Sequence, residues 1–455
     1  MKKSILNQIS SSQRARIIYL AVFISLIILT SIALFQQNIT FAQNDPPSDP
    51  PSAPQIEAVA SETIPNQTIP DTGNPDTGNP DTGNAETNNR YAYLPIVTTE
   101  QFLSSRLGFG VLHSHQLAEY TDIESMKLGW YVNWQVQTNP VRPLGMQFAQ
   151  MIRVHQKLTC PSRTTPDRGV CPYVEPYEYE VQPSINQIEA AVRANPGAIW
   201  LVGNEIERID WFGGGQDEVL PEFYPVVYHD LYTIIKDIDP SAKVAIGGII
   251  QPTPLRLEYL SIVWDSYQQR YGEPMPVDIW NIHNFIIREK WNEWGASIPV
   301  GIDVPNGEGA YVLPEGATYD NHIDMQLFDQ QTRAMRQWMK DRGQQEKPLI
   351  VTEYGVLYPN WLLGFEEANV DGVNDFMIAT FDYFLHTKDC NLGYTVDDCR
   401  LVQMWNWYSL DERSDSSFNI YSRLYDPSTR AMTTTGERVR TYSLANINEL
   451  NYRLK

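Results

Sequence analysis

Ala198-Ile-Trp-Leu-Val-Gly-Asn-Glu-Ile-Glu207 is a run of apolar residues that ends abruptly in an amide and a carboxylate. A short continuous apolar run bounded by polar residues fits a strand buried on both faces, as in a parallel sheet covered by helices. Such a strand presents Asn204 and Glu205 at the C-terminal edge of its sheet, where parallel α/β folds bind ligands. A second stretch, Pro348-Leu-Ile-Val-Thr-Glu-Tyr-Gly355, repeats the pattern and ends in Glu353.

Working outward from these two, further candidate strands are Leu107 to Leu112, Leu128 to Trp134, Met146 to Val154, Lys243 to Ile249, Val277 to Ile282 and Leu401 to Trp407. With Ala198 to Gly203 and Leu349 to Thr352 they make about eight, the number that closes a parallel (β/α)8 barrel. Amphipathic stretches alternate with them: Ile185 to Ala194, Pro221 to Ile238, Arg256 to Arg270, Met325 to Arg342, Val373 to His386 and Thr433 to Asn446. That alternation predicts an α/β fold, a TIM barrel. Loop lengths agree. Several helix-to-strand connections are brief, as at Asp239 to Ala242, the segment with Cys390 and Cys399 being the exception, whereas His155 to Pro183, Asn284 to His322 and Ser409 to Arg430 are long strand-to-helix connections. A barrel elaborated on one face carries its site there.

The first hundred residues lie outside this pattern. Lys2, Lys3, Arg14 and Arg16 precede an apolar run from Ile17 to Phe35, roughly a bilayer-spanning length. Basic residues on its N-terminal side keep that end in the cytoplasm and export the remainder. Residues 1–42 are therefore expected to be a signal peptide or a membrane anchor. Residues 43–95 are rich in Pro, Asn, Asp, Thr and Gly, with three copies of Pro-Asp-Thr-Gly-Asn between Pro70 and Asn84. They are expected to be a disordered linker, since they lack the apolar surface to offset ordering the backbone. Residues 96–455 remain for the barrel. The protein is expected to be extracellular, secreted or tethered to the cell surface, monomeric, and in contact with membrane only through its N-terminal segment.

A net charge of −21 argues against nucleic acid as a partner. The cysteines form two close pairs, Cys160 with Cys171 and Cys390 with Cys399, which for an exported chain predicts two local disulfides. The first pair lies in a loop on the C-terminal rim, the second before the last strand on the opposite face. No tight C-x-x-C spacing and no H-E-x-x-H occurs, so neither a metal nor a cofactor is expected.

A Gly-Asn-Glu at the end of the fourth strand, a Thr-Glu-Tyr-Gly at the end of the seventh and a Trp-rich eighth strand resemble the retaining glycoside hydrolases of the (β/α)8-barrel clan. That clan includes cellulases, mannanases, xylanases and β-1,3-glucanases, and the resemblance spans roughly residues 100 to 450. It implies that Glu205 is the acid/base, Glu353 the nucleophile, and Asn204 the partner of a sugar hydroxyl. The chemistry suits those residue types independently, because splitting a glycosidic bond with retention needs one protonated and one ionised carboxyl, about 5 to 5.5 Å apart. A lone Glu at a barrel rim is more often an ion-pair partner; two at the fourth and seventh strands are a rarer coincidence. The expected partner is a β-linked polysaccharide or oligosaccharide. The alternative is a barrel of the same ancestry that binds glycan without cleaving it.

Other candidate site residues follow from position. His283 ends the sixth strand, where the clan commonly places a His or Tyr beside the nucleophile. Tyr354 flanks Glu353. Trp405 and Trp407 share one side of the eighth strand by its period of two, with Trp407 expected to floor the reactive subsite. Trp134 ends the second strand, and Trp291 and Trp294 lie on a rim loop. Arg153 and His155 are weaker candidates, and Glu207 is the nearest competitor of Glu205.

Overall fold

The structure is a computed structural model that describes residues 104–112, 117–160, 165–210, 215–365, 370–412 and 418–452. The expected signal or anchor segment and linker lie outside the described residues. Among those described, no helix is long and apolar enough to cross a membrane.

The strands are β1 (Ser104–Gly110), β2 (Leu128–Val132), β3 (Gln147–Phe148), β4 (Gln150–Gln156), β5 (Tyr179–Gln182), β6 (Ile199–Asn204), β7 (Lys243–Gly248), β8 (Trp280–His283), β9 (Leu349–Tyr354) and β10 (Met404–Trp407). The α-helices are α1 (Ile185–Ala194), α2 (Tyr224–Ile238), α3 (Pro254–Tyr271), α4 (Met325–Asp341), α5 (Asp371–His386) and α6 (Thr434–Ala445). One arc runs β3-β2-β1-β10-β9-β8 and the other β5-β4-β6-β7. Two parallel bridges, Ala245 to Ile279 and Ile249 to Ile282, join β7 to β8. On the other side β3 and β4 are one strand interrupted at Ala149, whose N–H donates to Tyr131 O. The parallel pairing thus runs round a ring of eight strands, in which β6 is the fourth and β9 the seventh.

Strand alternation divides the core into two layers. Trp130, Val132, Met151, Ile199, Leu201, Ala245, Ile279, Ile350 and Met404 fill the inside of the ring. Their neighbours, such as Trp200, Val202, Val244, Ile246, Ile282 and Val351, face outward and pack under the helices.

The expected helices are all present, with ends shifted by a few residues. α1 starts on a capping box formed by Ser184 and Gln187. Among the described residues, the connections from β1 to β2 and from β2 to β3 hold short 3-10 turns in place of α-helices, at Leu117–Glu119, Ile123–Met126 and Pro143–Gly145. In the second connection Pro140, Pro143 and Gly145 deny the chain a regular helix. β5 was not anticipated. It pairs antiparallel with β4 outside the ring and extends the rim after the third strand. Both disulfides join the expected partners, with Cα separations of 5.6 Å for Cys160–Cys171 and 4.7 Å for Cys390–Cys399. The second loop contributes Asp397 to Arg106 in β1.

A buried ion network fastens the long loop after β8 to the end of β6. Arg256, in α3, donates to Glu207 Oε1 at 3.0 Å and pairs with Glu289, and all three side chains are fully buried. Glu289 also accepts from Thr253 and Gln251 and from the backbone of Ala310. Arg256→Met leaves two buried carboxylates uncompensated, a loss of roughly 3 to 5 kcal/mol. Thermal unfolding followed by circular dichroism should register it as a lowered midpoint, and an unchanged midpoint would contradict this role.

Candidate active site

β6 is paired with β7 as far as Asn204, and the chain then leaves the ring sharply. Gly203 has φ 100° and Glu205 φ 49°, a left-handed conformation that costs a residue with a side chain about 1 kcal/mol or more. A Cβ on Gly203 would meet Ile206 at 2.5 Å, so only glycine permits the turn. Asp217 clamps it. This buried carboxylate accepts from the N–H groups of Val154 and Asn204, at 3.0 and 2.8 Å, and from Arg153 Nε at 2.6 Å. His155 meets the Asp217 carbonyl at 3.2 Å. Arg153 and His155 therefore support the strand-4 loop.

The turn delivers Glu205 to the mouth of the ring opposite Glu353. His283, at the end of β8, lies between them, its Nδ1 3.3 Å from Glu205 Oε1 and its Nε2 3.8 Å from Glu353 Oε2. One ligating atom from each of the three residues lies within 4.8 Å of the others. The imidazole fits because residue 248 is glycine: a Cβ there would lie 2.7 Å from His283 Nε2. Trp134 Nε1 donates to Glu353 Oε2 at 3.1 Å, and Gly110 leaves room for its indole. Arg208 Nη1 donates to Glu205 Oε2 at 2.6 Å, and Gln216 reaches the same oxygen at 3.2 Å.

These contacts set the charges. Burial opposes ionisation of Glu205, but Arg208 and His283 outweigh it and hold the carboxyl well below its usual range. Burial pushes Glu353 up to about 7; His283 opposes that rise and the Glu205 charge adds to it. Burial likewise opposes the charged form of His283, yet Glu353 and Glu205 keep its proton affinity above the ordinary value. The resting site thus orders the two carboxyls oppositely to the roles that the sequence suggests. The same three residues are the set among the described residues arranged to ligate a metal ion, but the guanidinium on Glu205 Oε2 opposes a cation there.

A raised carboxyl contributes stability that is complete below its unfolded value and lost as pH rises through its folded value. Relative to Glu353→Gln, the wild type should therefore lose stability between about pH 4.5 and about pH 7. Melting curves should show the variant more stable by several degrees at pH 8, with the gap narrowing at pH 4.5. A constant gap would contradict the burial of this charge.

The other expected site residues divide. Asn204 is buried; its Nδ2 donates to Gly215 O at 2.9 Å, and its enclosed Oδ1 has no partner among the described residues. Trp291 and Trp294 are 44% and 45% exposed on the loop after β8, with Trp294 against Tyr358. A cavity of about 320 Å³ lies beside Trp291, lined also by Tyr173, Ile209, Ile298 and Val304. Glu207 is buried in the Arg256 network, so it does not compete with Glu205.

Three expectations are corrected. Trp405, Trp407 and Tyr354 are fully buried in the outer layer, packed against Phe381 and Phe384 of α5, and offer no surface to a sugar. Trp407 Nε1 donates to Ser422 O, and Tyr354 OH bonds Thr380. The two tryptophans do share a face, but Met404 occupies the inside of the ring, and the period of two sends residues 405 and 407 outward. The aromatic in phase with Met404 is Tyr408, whose ring lies 5.9 Å from that of Trp134 and whose hydroxyl donates to Glu412. Arg208, Gln216 and Tyr408 were missed. Only Tyr408 carried a sequence signal, its two-residue phase with Met404.

No family model matches the chain, and no curated protein does. The solved structures that it resembles include a GH128 (subgroup II) endo-β-1,3-glucanase from Sorangium cellulosum, at 11% identity over 74% of this chain and 98% of that one, with a TM-score of 0.42. A GH128 (subgroup VII) oligosaccharide-binding protein from Trichoderma gamsii matches at 12% identity over 78% of this chain and 98% of that one, with a TM-score of 0.42. A glucosidase from Croceicoccus marinus matches at 11% identity over 76% and 68%, with a TM-score of 0.45.

Proposed function

We propose that the protein is an exported, monomeric glycoside hydrolase that cleaves a β-linked polysaccharide or oligosaccharide by a retaining double displacement. The observation that carries this reading is the convergence of Glu205, Glu353 and His283 from the ends of three strands, one side-chain atom of each within 4.8 Å of the others, at the C-terminal mouth. A retaining pair needs carboxyls about 5 to 5.5 Å apart, whereas an inverting pair must leave room for a water between them.

Glu353 Oε1, which has no donor among the described residues, attacks the anomeric carbon while Trp134 orients the other oxygen. Glu205 gives a proton to the departing glycosidic oxygen, and the sugar becomes esterified to Glu353. Glu205 then takes a proton from water, whose oxygen attacks the anomeric carbon and releases Glu353 as a carboxylate. Trp134, Tyr408, Trp291 and Trp294 offer ring faces to pyranose units. No metal or cofactor enters these steps. Residues 1–42 direct export or anchor the chain, and residues 43–95 tether the barrel.

The test is hydrolysis of defined β-glucans, mannans and xylans with Glu353→Gln as control, the product anomer being read by proton NMR. Retained configuration with an inactive control supports the proposal. Glycan binding without release of reducing ends would favour the non-catalytic glycan-binding alternative.

A further inference from the structure

Both oxygens of Glu205 are engaged by donors in the resting site. Oε2 accepts from Arg208 at 2.6 Å and Gln216 at 3.2 Å, and Oε1 faces His283 Nδ1 at 3.3 Å. A carboxylic acid needs one of those positions for its own O–H, and that O–H must point at the substrate. The Arg208 bridge is not a loose surface pair. Its side chain is 19% exposed against 5% for Glu205, its Nη2 donates to Gly295 O at 2.7 Å, and its N–H bonds Glu205 O at 3.0 Å. The left-handed turn at Glu205 folds the guanidinium back onto the carboxylate three residues earlier.

We infer that Arg208 is a positioning residue that latches Glu205 in the resting site, and that the sugar on the leaving-group side of a bound glycan displaces its guanidinium from Oε2 before Glu205 can act as acid. This rests on the assignment of Glu205 as acid. A guanidinium has donors spread over a planar fork, so a rotated Arg208 can give to that sugar's hydroxyls the hydrogen bonds it withdraws from Glu205. Oligosaccharides and polysaccharides open the latch; an aryl glycoside, with no sugar on that side, leaves it closed. The other groups acting on Glu205 are His283 and Glu353 from β8 and β9, Arg153 from β4, Glu207 on its own loop and Tyr408 after β10. Among these groups Arg208 is the cation bonded to Oε2, and opening the latch exchanges that bond, together with its bond to Gly295 O, for bonds to the sugar.

The experiment compares the pH dependence of kcat/KM, which reports the free enzyme, with that of kcat, which reports the complex. With an oligosaccharide substrate, the acid limb of kcat/KM in the wild type should lie at lower pH than that of kcat, because the lower of the resting pair's two titrations belongs to the latched Glu205. The split should be roughly one to three pH units, the effect of an opposite charge beside a carboxyl. Arg208→Ala should merge the limbs at the higher pH, and Arg208→Lys should restore part of the split. Coincident limbs in the wild type, or a variant that loses turnover without moving its limbs, would overturn the latch. Labelling with a 2-deoxy-2-fluoro glycoside separates this failure from failure of the underlying assignment. Label on Glu353 with coincident limbs removes the latch alone; label on Glu205 exchanges the two roles and removes both.

Discussion

Glu353→Ala is expected to abolish turnover on every substrate, by on the order of 10⁴ to 10⁶ in kcat, the scale of removing the nucleophile from a covalent mechanism. Leaving-group quality should not relieve the defect, because no ester to the protein can form. Azide is small enough to enter the space vacated beside Trp134 and attack the anomeric carbon directly. The product should then be the glycosyl azide of inverted configuration, identified by NMR. Residual activity above about one part in a thousand, with configuration retained, would show that another group attacks.

Glu205→Ala should produce a different defect. With an unactivated oligosaccharide the rate should fall by about 10² to 10⁴, the usual worth of a positioned acid. With a dinitrophenyl glycoside, whose departure needs no proton, the first step should survive and the glycosyl-enzyme should accumulate as a burst. Azide should then accelerate breakdown of that intermediate and give a product of retained configuration. A defect of equal size on both substrates would place the proton donor elsewhere. The contrast between the two variants also decides between the assignment that sequence suggests and the one that the resting charges suggest. Arg208 and His283 hold Glu205 ionised while burial raises Glu353, and catalysis with Glu205 as acid requires that order to change once substrate is bound.

Much of this architecture was legible in the chain. A short apolar run can only be a buried strand if its backbone bonds are satisfied on both sides, so strands such as Ile199–Asn204 and Leu349–Tyr354 announced a parallel sheet and placed Glu205 and Glu353 at its C-terminal edge. Local sequence separation likewise gave the disulfides, since each closes a loop of 11 or 9 residues. The period of two correctly put Trp405 and Trp407 on one side of β10. It could not say which side, because alternation fixes only relative phase, and the absolute phase is set when ring closure seals Met404 inside and presses the tryptophans under α5. Glu205 and Glu207 are likewise equal by spacing. They part only because the left-handed turn at Glu205 sends the first to the mouth, and Arg256, from a helix 49 residues further on, draws the second into a buried network. The contacts that set the proton affinities, from Trp134, His283 and Arg208, depend on side chains brought together across the ring or folded back through a strained turn. Sequence determined which residues stand at the strand ends, and the closed ring decided which of them face one another.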